Sequence, residues 1–270
     1  MSVLWLNGRL LPAEDARIDP ADRGFTLGDG LFETIRVTGG TTRHLGRHLA
    51  RLEEGAALLG LPLPHSAASL AEAAAALIAA QGRTDGVLRL TLTRGTGARG
   101  VLPPADAVPT LLMTLAPAPP PAGPVEAVIA RVTRRNEHSP LSRLKSLNYL
   151  DSILARQEAA ARGAGEALLL NSAGRLAEAS VANLFIVRDG RPLTPPVEEG
   201  ALPGIRRALI LQRGEAGETP LTVADLLEAE EAFLTNSLGL RPLLRVDGQA
   251  IGAGTVGPVT AALLRDAEAE

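Results

Sequence analysis

The run APAPPPAGP, residues 116–124, constrains this chain more than any other segment. Proline fixes φ and has no backbone N–H, so such a run cannot lie in a helix interior or a central strand. It predicts a linker over 117–124 between a domain of residues 1–116 and a larger one of residues 125–270. At 46% hydrophobic, the 270 residues can supply a core to each.

The first domain shows strand and helix signals in turn. Asn7-Gly8 between apolar residues predicts a hairpin turn. LFETIRV, residues 31–37, predicts a strand ending at Gly39-Gly40. Leu45, Leu49, Leu52 and Leu59 share one face of a helix expected over 44–60. A second helix is expected over 66–81, with Ser66 as N-cap and Gly82 as its stop. Leu88, Leu90 and Leu92 alternate as in a half-buried strand, and a further strand follows at 110–115. Beyond the linker, a strand near 125–133 precedes a helix over 149–162, with Leu150, Ile153 and Leu154 inward and Gly163 ending it. ALLLN, LAEAS, NLFIV and RPLT predict a meander with turns at Ser172-Ala173-Gly174 and Arg188-Asp189-Gly190. A helix near Gly204, strands at 231–235 and 242–247, and a terminal helix at 257–268 follow. The class is α+β with much antiparallel sheet.

Charge and composition remove several functions. The net charge is -3 and no basic stripe forms, so neither nucleic acid nor an anionic membrane is expected as a partner. Cysteine is absent, which excludes disulfides and thiolate chemistry. The start, MSVLWLNGRLLPAED, is not patterned as a signal peptide, and no apolar run approaches a membrane span, so a cytoplasmic location is expected. His44 and His48 are four apart, but Leu45 stands where a zincin has Glu, and no metal is expected. RGTGARG, residues 94–100, lacks the Lys and Ser/Thr of a P-loop. No nucleophile elbow is present.

Lysine is the most informative count. Of 27 basic residues only Lys145 is not arginine. A compositional bias toward Arg explains why lysines are missing, not why one remains. Arg stays charged, whereas a desolvated Lys can become a neutral amine and attack a carbonyl. Leu144 and Leu147 flank it, as an apolar pocket would require.

Several segments accompany this lysine: RGFTLGDGLFETIRV at 23–37 with HLGRHLARL at 44–52, SPLSRLKSLNYLDSILARQEA at 139–159, GRLAEASVANLF at 174–185, LPGIRRAL at 202–209, and AFLTNSLGLRPL at 232–243. In this order they resemble the class IV aminotransferases, the fold-type IV pyridoxal-phosphate enzymes, over nearly the whole chain. That resemblance implies a small N-terminal α/β sandwich and a larger C-terminal pseudo-barrel with helices. The larger domain is then expected to carry the lysine that holds pyridoxal 5'-phosphate.

The resemblance also implies residue roles. Lys145 would bond the cofactor aldehyde and shuttle the substrate proton. Glu178 would pair with the pyridine nitrogen and keep the ring protonated, a better electron sink. Arg51, after His48, would bind the phosphate, with His48 structural. Leu202 and the N–H groups of Ile205 and Arg206, at a helix start, would add to the cofactor site. The family often has Thr where this chain has Arg206, so a hydroxyl contact is expected to be lost there. Asn236 and Ser237 match a second phosphate turn. Tyr149 would approach the cofactor hydroxyl, and Asn183 would support the Glu178 turn. Phe32, Arg94 and Arg99 are the substrate candidates, the arginines for a carboxylate.

Two reactions remain open. TRGTGARG, Thr34 and TNSL resemble aminodeoxychorismate lyases, with Thr34 where such lyases carry a threonine for proton transfer. NYL after Lys145 resembles transaminases. Transamination of a D-amino acid or branched-chain type substrate with a 2-oxo acid is placed first. The alternative is 4-amino-4-deoxychorismate lyase chemistry, releasing 4-aminobenzoate and pyruvate. A non-catalytic pyridoxal-phosphate-binding protein is a remote third. A homodimer is expected from the family.

Overall fold

The computed structural model describes residues 3–121 and 123–269. The chain divides into two compact units: residues up to Pro120 with Lys145–Asn148, and Pro121–Leu144 with Tyr149 onward. The change of unit falls within the Pro-rich run, of which Ala122 lies outside the described residues.

The first unit contains β1 (Val3–Leu6), β2 (Arg9–Pro12), α1 (Arg23–Leu27), β3 (Gly30–Thr38), β4 (Thr41–Thr42), α2 (Leu45–Leu58), α3 (Ala67–Gln81), β5 (Gly86–Thr93) and β6 (Thr110–Pro117). Its sheet runs β2-β1-β6-β5-β3-β4, with antiparallel pairing throughout. Asn7 and Gly8 both take positive φ at the first hairpin, as a two-residue turn there requires. Ser66 caps α3 by accepting from the Ser69 N–H, and Gly82 ends it in the left-handed region. Leu88, Leu90 and Leu92 are fully buried on one face of β5. The period of two therefore sends Arg89 and Thr91 to the other face, with Phe32 and Thr34 of β3 beside them.

The second unit contains β7 (Val125–Ile129), α4 (Leu150–Ala161), β8 (Glu166–Leu170), β9 (Leu176–Ala179), β10 (Asn183–Arg188), β11 (Arg191–Thr194), α5 (Ile205–Gln212), β12 (Gly217–Glu218), α6 (Val223–Leu227), β13 (Glu231–Asn236), β14 (Gly239–Val246), β15 (Gln249–Ala250) and α7 (Pro258–Ala269). Its sheet runs β12-β11-β10-β13-β14-β7-β8-β9, and β15 pairs with β14. The meander is antiparallel, but β7 lies parallel to both β14 and β8. Side chains from strands across the sheet, including Leu168, Leu176, Leu184, Ile186, Leu234 and Leu243, meet in one core, as in a curled, barrel-like sheet. Glu231 accepts from the Val259 and Thr260 N–H groups and so caps α7.

α4 corrects one expectation. Leu150, Ile153 and Leu154 are 73%, 49% and 44% exposed in the chain, and Ser152, Ala155 and Ala159 face inward instead. Ala155 and Ala159 pack with Val128, Ala130, Ala167 and Leu169, where small side chains let helix and sheet approach closely. No helix among the described residues is long and apolar enough to cross a membrane.

Candidate active site

Lys145 groups with the first unit, although the larger second domain was expected to carry it. The reason is backbone pairing with the start of β3. The Phe32 N–H donates to the Lys145 carbonyl at 2.9 Å, and the Leu147 N–H donates to the Gly30 carbonyl at 2.9 Å. A Cβ at Gly30 would lie 2.4 Å from the Leu92 carbonyl oxygen, so only glycine fits between the two neighbouring segments. Asn148 adds a bond from Nδ2 to the Gly28 carbonyl at 3.2 Å.

This pairing puts the Lys145 amine over an aromatic ring. Nζ lies 4.2 Å from the Phe32 ring centroid, and the Arg89 guanidinium carbon lies 3.9 Å from it. Thr34 stands directly across from Arg89 in the β3–β5 ladder. Lys145, Phe32 and Thr34, candidates from the sequence, thus lie in one unit, and Arg89 joins them. Arg89 was missed because the alternation in LRLTL shows which face it takes but not which strand lies next to it.

Arg51 reaches a buried carboxylate. Its Nε and Nη2 donate to Glu33 at 2.8 and 2.6 Å, and His48 Nδ1 lies 2.6 Å from Glu33 Oε2. Burial alone would raise the Glu33 pKa. The hydrogen bonds and charges of His48 and Arg51 outweigh it and hold the carboxyl below its ordinary value. Glu33 fixes the direction of the Arg51 fork and was not among the sequence candidates.

The two arginines of the β5–β6 loop separate. Arg99 is exposed. Arg94 is 4% exposed, and its guanidinium donates to Asp29 at 2.8 Å and to the Gly60 and Leu59 carbonyls at 2.9 Å each. That guanidinium is bonded inside its own unit, which makes it a strut. The expectation that it grips a substrate carboxylate is set aside on this geometry.

In the second unit, Glu178 is held from several sides. Its Oε2 accepts from the Leu202 N–H at 2.9 Å and lies 3.4 Å from Asn183 Nδ2, while Oε1 is 3.1 Å from Arg135 Nε. Asn183 also donates to the Leu202 carbonyl at 2.8 Å. Arg135 continues to the Gly200 carbonyl at 3.0 Å and the Ser142 carbonyl at 2.6 Å. The sequence pointed to Asn183 as a support of the Glu178 turn and to Leu202 only as part of the cofactor site; it missed Arg135, which lies before the segment that carried the resemblance.

Arg51 belongs to the first unit, and the other anion-binding candidates lie on the second. α5 begins at Ile205 and Arg206 with Gly204 at its N-cap, so no side chain caps it. A Cβ at Gly204 would lie 2.0 Å from Asn183 Oδ1. Asn236 accepts from the Leu238 N–H at 2.9 Å, shaping the β13–β14 turn that presents Ser237. Beside it, the Thr235 hydroxyl is buried with no hydrogen-bond partner among the described residues. Tyr149 occupies the N-cap position of α4. Within the second unit, the uncapped start of α5 offers the N–H groups a phosphate would bind, and the Arg135-braced Glu178 offers the carboxylate a protonated pyridine nitrogen would bind; within the first unit, the Lys145 amine is the group an aldehyde would bind.

The comparisons agree with this chemistry. The profile of Amino-transferase class IV matches residues 30–246. D-alanine aminotransferase of Bacillus licheniformis is 33% identical over 96% of this chain and 93% of its own. The crystal structure of 4-amino-4-deoxychorismate lyase from Pseudomonas aeruginosa is 38% identical, with TM-score 0.87, over 99% of this chain and 98% of that one. A T.th. branched-chain amino acid aminotransferase, solved with pyridoxamine 5'-phosphate, is 27% identical with TM-score 0.93, over 99% and 93%. The chain belongs to the class IV aminotransferases, a pyridoxal-phosphate-dependent family, and has their fold.

Proposed function

We propose that this protein is a pyridoxal 5'-phosphate enzyme that moves an amino group between an amino acid, of D-amino acid or branched-chain type, and a 2-oxo acid. The observation that carries the reading is the only lysine of the chain, held by backbone pairing to β3 with its amine over Phe32. When bound, the cofactor supplies an aldehyde for that amine and a ring that accepts electrons from the substrate α-carbon. Lys145 holds the cofactor and moves the proton at Nζ. Glu178, oriented by Arg135 and the Leu202 N–H, keeps the ring nitrogen protonated. Arg51, the N–H groups of Ile205 and Arg206, Asn236 and Ser237 bind the phosphate, and Tyr149 faces the ring hydroxyl. Phe32 and the exposed Arg99 serve the substrate, Arg99 through its carboxylate. The protein acts as a cytoplasmic homodimer.

A second reading, 4-amino-4-deoxychorismate lyase, is favoured by Thr34. Its place across from Arg89, on the sheet face that carries Phe32, suits a hydroxyl that relays a proton during pyruvate release. The 38% identity to the Pseudomonas aeruginosa lyase supports it too.

One panel separates the two. The cofactor-loaded protein is mixed with D-alanine or L-leucine and its visible band followed. Loss of the band to the amine form without an added acceptor supports transamination. Pyruvate appearing from aminodeoxychorismate without an amino acceptor supports the lyase. No response to any of these substrates overturns both.

A further inference from the structure

The segment DRGFTLGDG, residues 22–30, carries two acidic residues to which neither reaction assigns a task. Both are aimed at the β5–β6 loop. Asp22 is 1% exposed. It accepts from Thr93 Oγ1 at 2.8 Å, from Thr110 Oγ1 at 2.7 Å and from the Gly24 N–H at 2.7 Å. It thereby pins the last residue of β5 to the first residue of β6, the two ends of the loop. Gly95 closes the same base: a Cβ there would lie 1.8 Å from the Val108 carbonyl oxygen.

Asp29 does something different. Its Oδ2 accepts from Arg23 Nε and from Arg94 Nε, each at 2.8 Å. Those two arginines are only 3% and 4% exposed, and each has the outer edge of its guanidinium on backbone carbonyls. Arg94 donates to Leu59 and Gly60, in the turn after α2, at 2.9 Å each. Arg23 donates to Gly100 at 2.9 Å and to Val101 at 2.8 Å, the residues immediately after Arg99. One carboxylate thus aligns two forks, one on the turn after α2 and one beside Arg99. Val101 and Leu102 are each 85% exposed, so they contribute little burial to hold the loop tip, and the Arg23 bonds fall on the tip itself. Desolvation raises the Asp29 pKa, but the two arginines lower it by more, so the carboxyl stays ionised and both forks stay charge-assisted.

We propose that Asp29 is a positioning residue: through Arg23 and Arg94 it holds the 94–109 loop, and Arg99 with it, in the conformation that receives the substrate carboxylate. The proposal rests on the substrate role given to Arg99 above. Asp29 itself touches no substrate. It acts on affinity by keeping the Arg99 fork in place, so losing it raises KM and leaves the proton transfer at Lys145 unaltered.

The test uses the cofactor-loaded enzyme and three variants: Asp29→Asn, Arg23→Lys and Arg99→Ala. Hydrogen exchange of peptides within 96–108 is compared with that of peptides from the β5–β6 ladder. KM and kcat are measured for D-alanine, or for aminodeoxychorismate if the lyase reading prevails. Asp29→Asn is expected to speed loop exchange about tenfold without changing the ladder, and to raise KM about tenfold at near-constant kcat. Arg99→Ala raises KM to a similar degree, and the Asp29→Asn/Arg99→Ala double variant goes no higher. Arg23→Lys keeps the charge but loses the fork; it repeats the loosening at 99–102 and serves in place of Asp29→Asn if that variant fails to fold. Unchanged loop exchange in both Asp29→Asn and Arg23→Lys overturns the proposal. So does a loosened loop with unmoved KM when Arg99→Ala does raise KM. If the loop loosens and KM moves in none of the variants, the clamp is supported and the carboxylate role of Arg99 is what falls.

Discussion

Burying the Glu33 carboxylate sacrifices hydration that only its partners return: His48 on one oxygen and Arg51 across both. Its folded pKa lies below the ordinary 4.5, so its contribution to stability is complete above that pH and is lost as the pH falls through the lowered value. Glu33→Gln should flatten the acid limb of a urea-denaturation series between neutral pH and about pH 3. An unchanged acid limb would show that another carboxylate governs it. Glu33→Ala leaves Arg51 and His48 without their acceptor and should destabilise by about 3–5 kcal/mol. Glu178 is proposed for a different task. Glu178→Gln keeps the Leu202 contact as an acceptor but cannot hold a protonated ring nitrogen. Cofactor should remain bound while turnover falls on the order of a hundredfold, and full activity in this variant would remove Glu178 from the ring nitrogen. At this scale the sequence carried the proposals that depend on residue type, those for Lys145 and Glu178 among them. It did not carry partners distant in the chain, because Glu33 meets Arg51, and Arg135 meets Glu178, only once strands and loops are in place.

Helices and strands were legible where a local signal decides them. Ser66 and Gly82 bracket α3 as written, Asn7-Gly8 makes its turn, and the alternation in β5 fixes its buried face. α4 was misjudged in its facing, since hydrophobicity favours Leu150, Ile153 and Leu154 as the inward set whereas close packing selects Ala155 and Ala159. The parallel pairing of β7 with β8 and β14 was not legible either, because no residue in VEAVI names its neighbour. The packing argument is testable: Ala159→Leu should overpack the helix–sheet contact and cost about 1–3 kcal/mol, read from the urea midpoint. The start of α5 is testable in the same way. Gly204→Ala would drive a methyl into Asn183, displacing the side chain that holds the Leu202 carbonyl. Apo-protein titrated with pyridoxal 5'-phosphate should then show weaker binding, and an unchanged affinity would separate this turn from the phosphate.

Across the whole molecule, segments far apart in sequence converge on a few pairings. RGFTLGDG holds both the Lys145 segment, through Gly28 and Gly30, and the loop of Arg99, through Arg23 and Asp29. The order of the segments along the chain identified the family, but family membership leaves transaminase and lyase side by side, because the two chemistries share the cofactor and diverge only after the α-proton has left. What both require is a covalent bond between Lys145 and the cofactor. Reduction of the cofactor-loaded protein with borohydride, followed by peptide mass spectrometry, reads that bond directly. A pyridoxyl-phosphate mass on the peptide containing Lys145, absent in Lys145→Ala together with the visible band, is the expected result; a label on another residue, or a normal visible spectrum in Lys145→Ala, would contradict it.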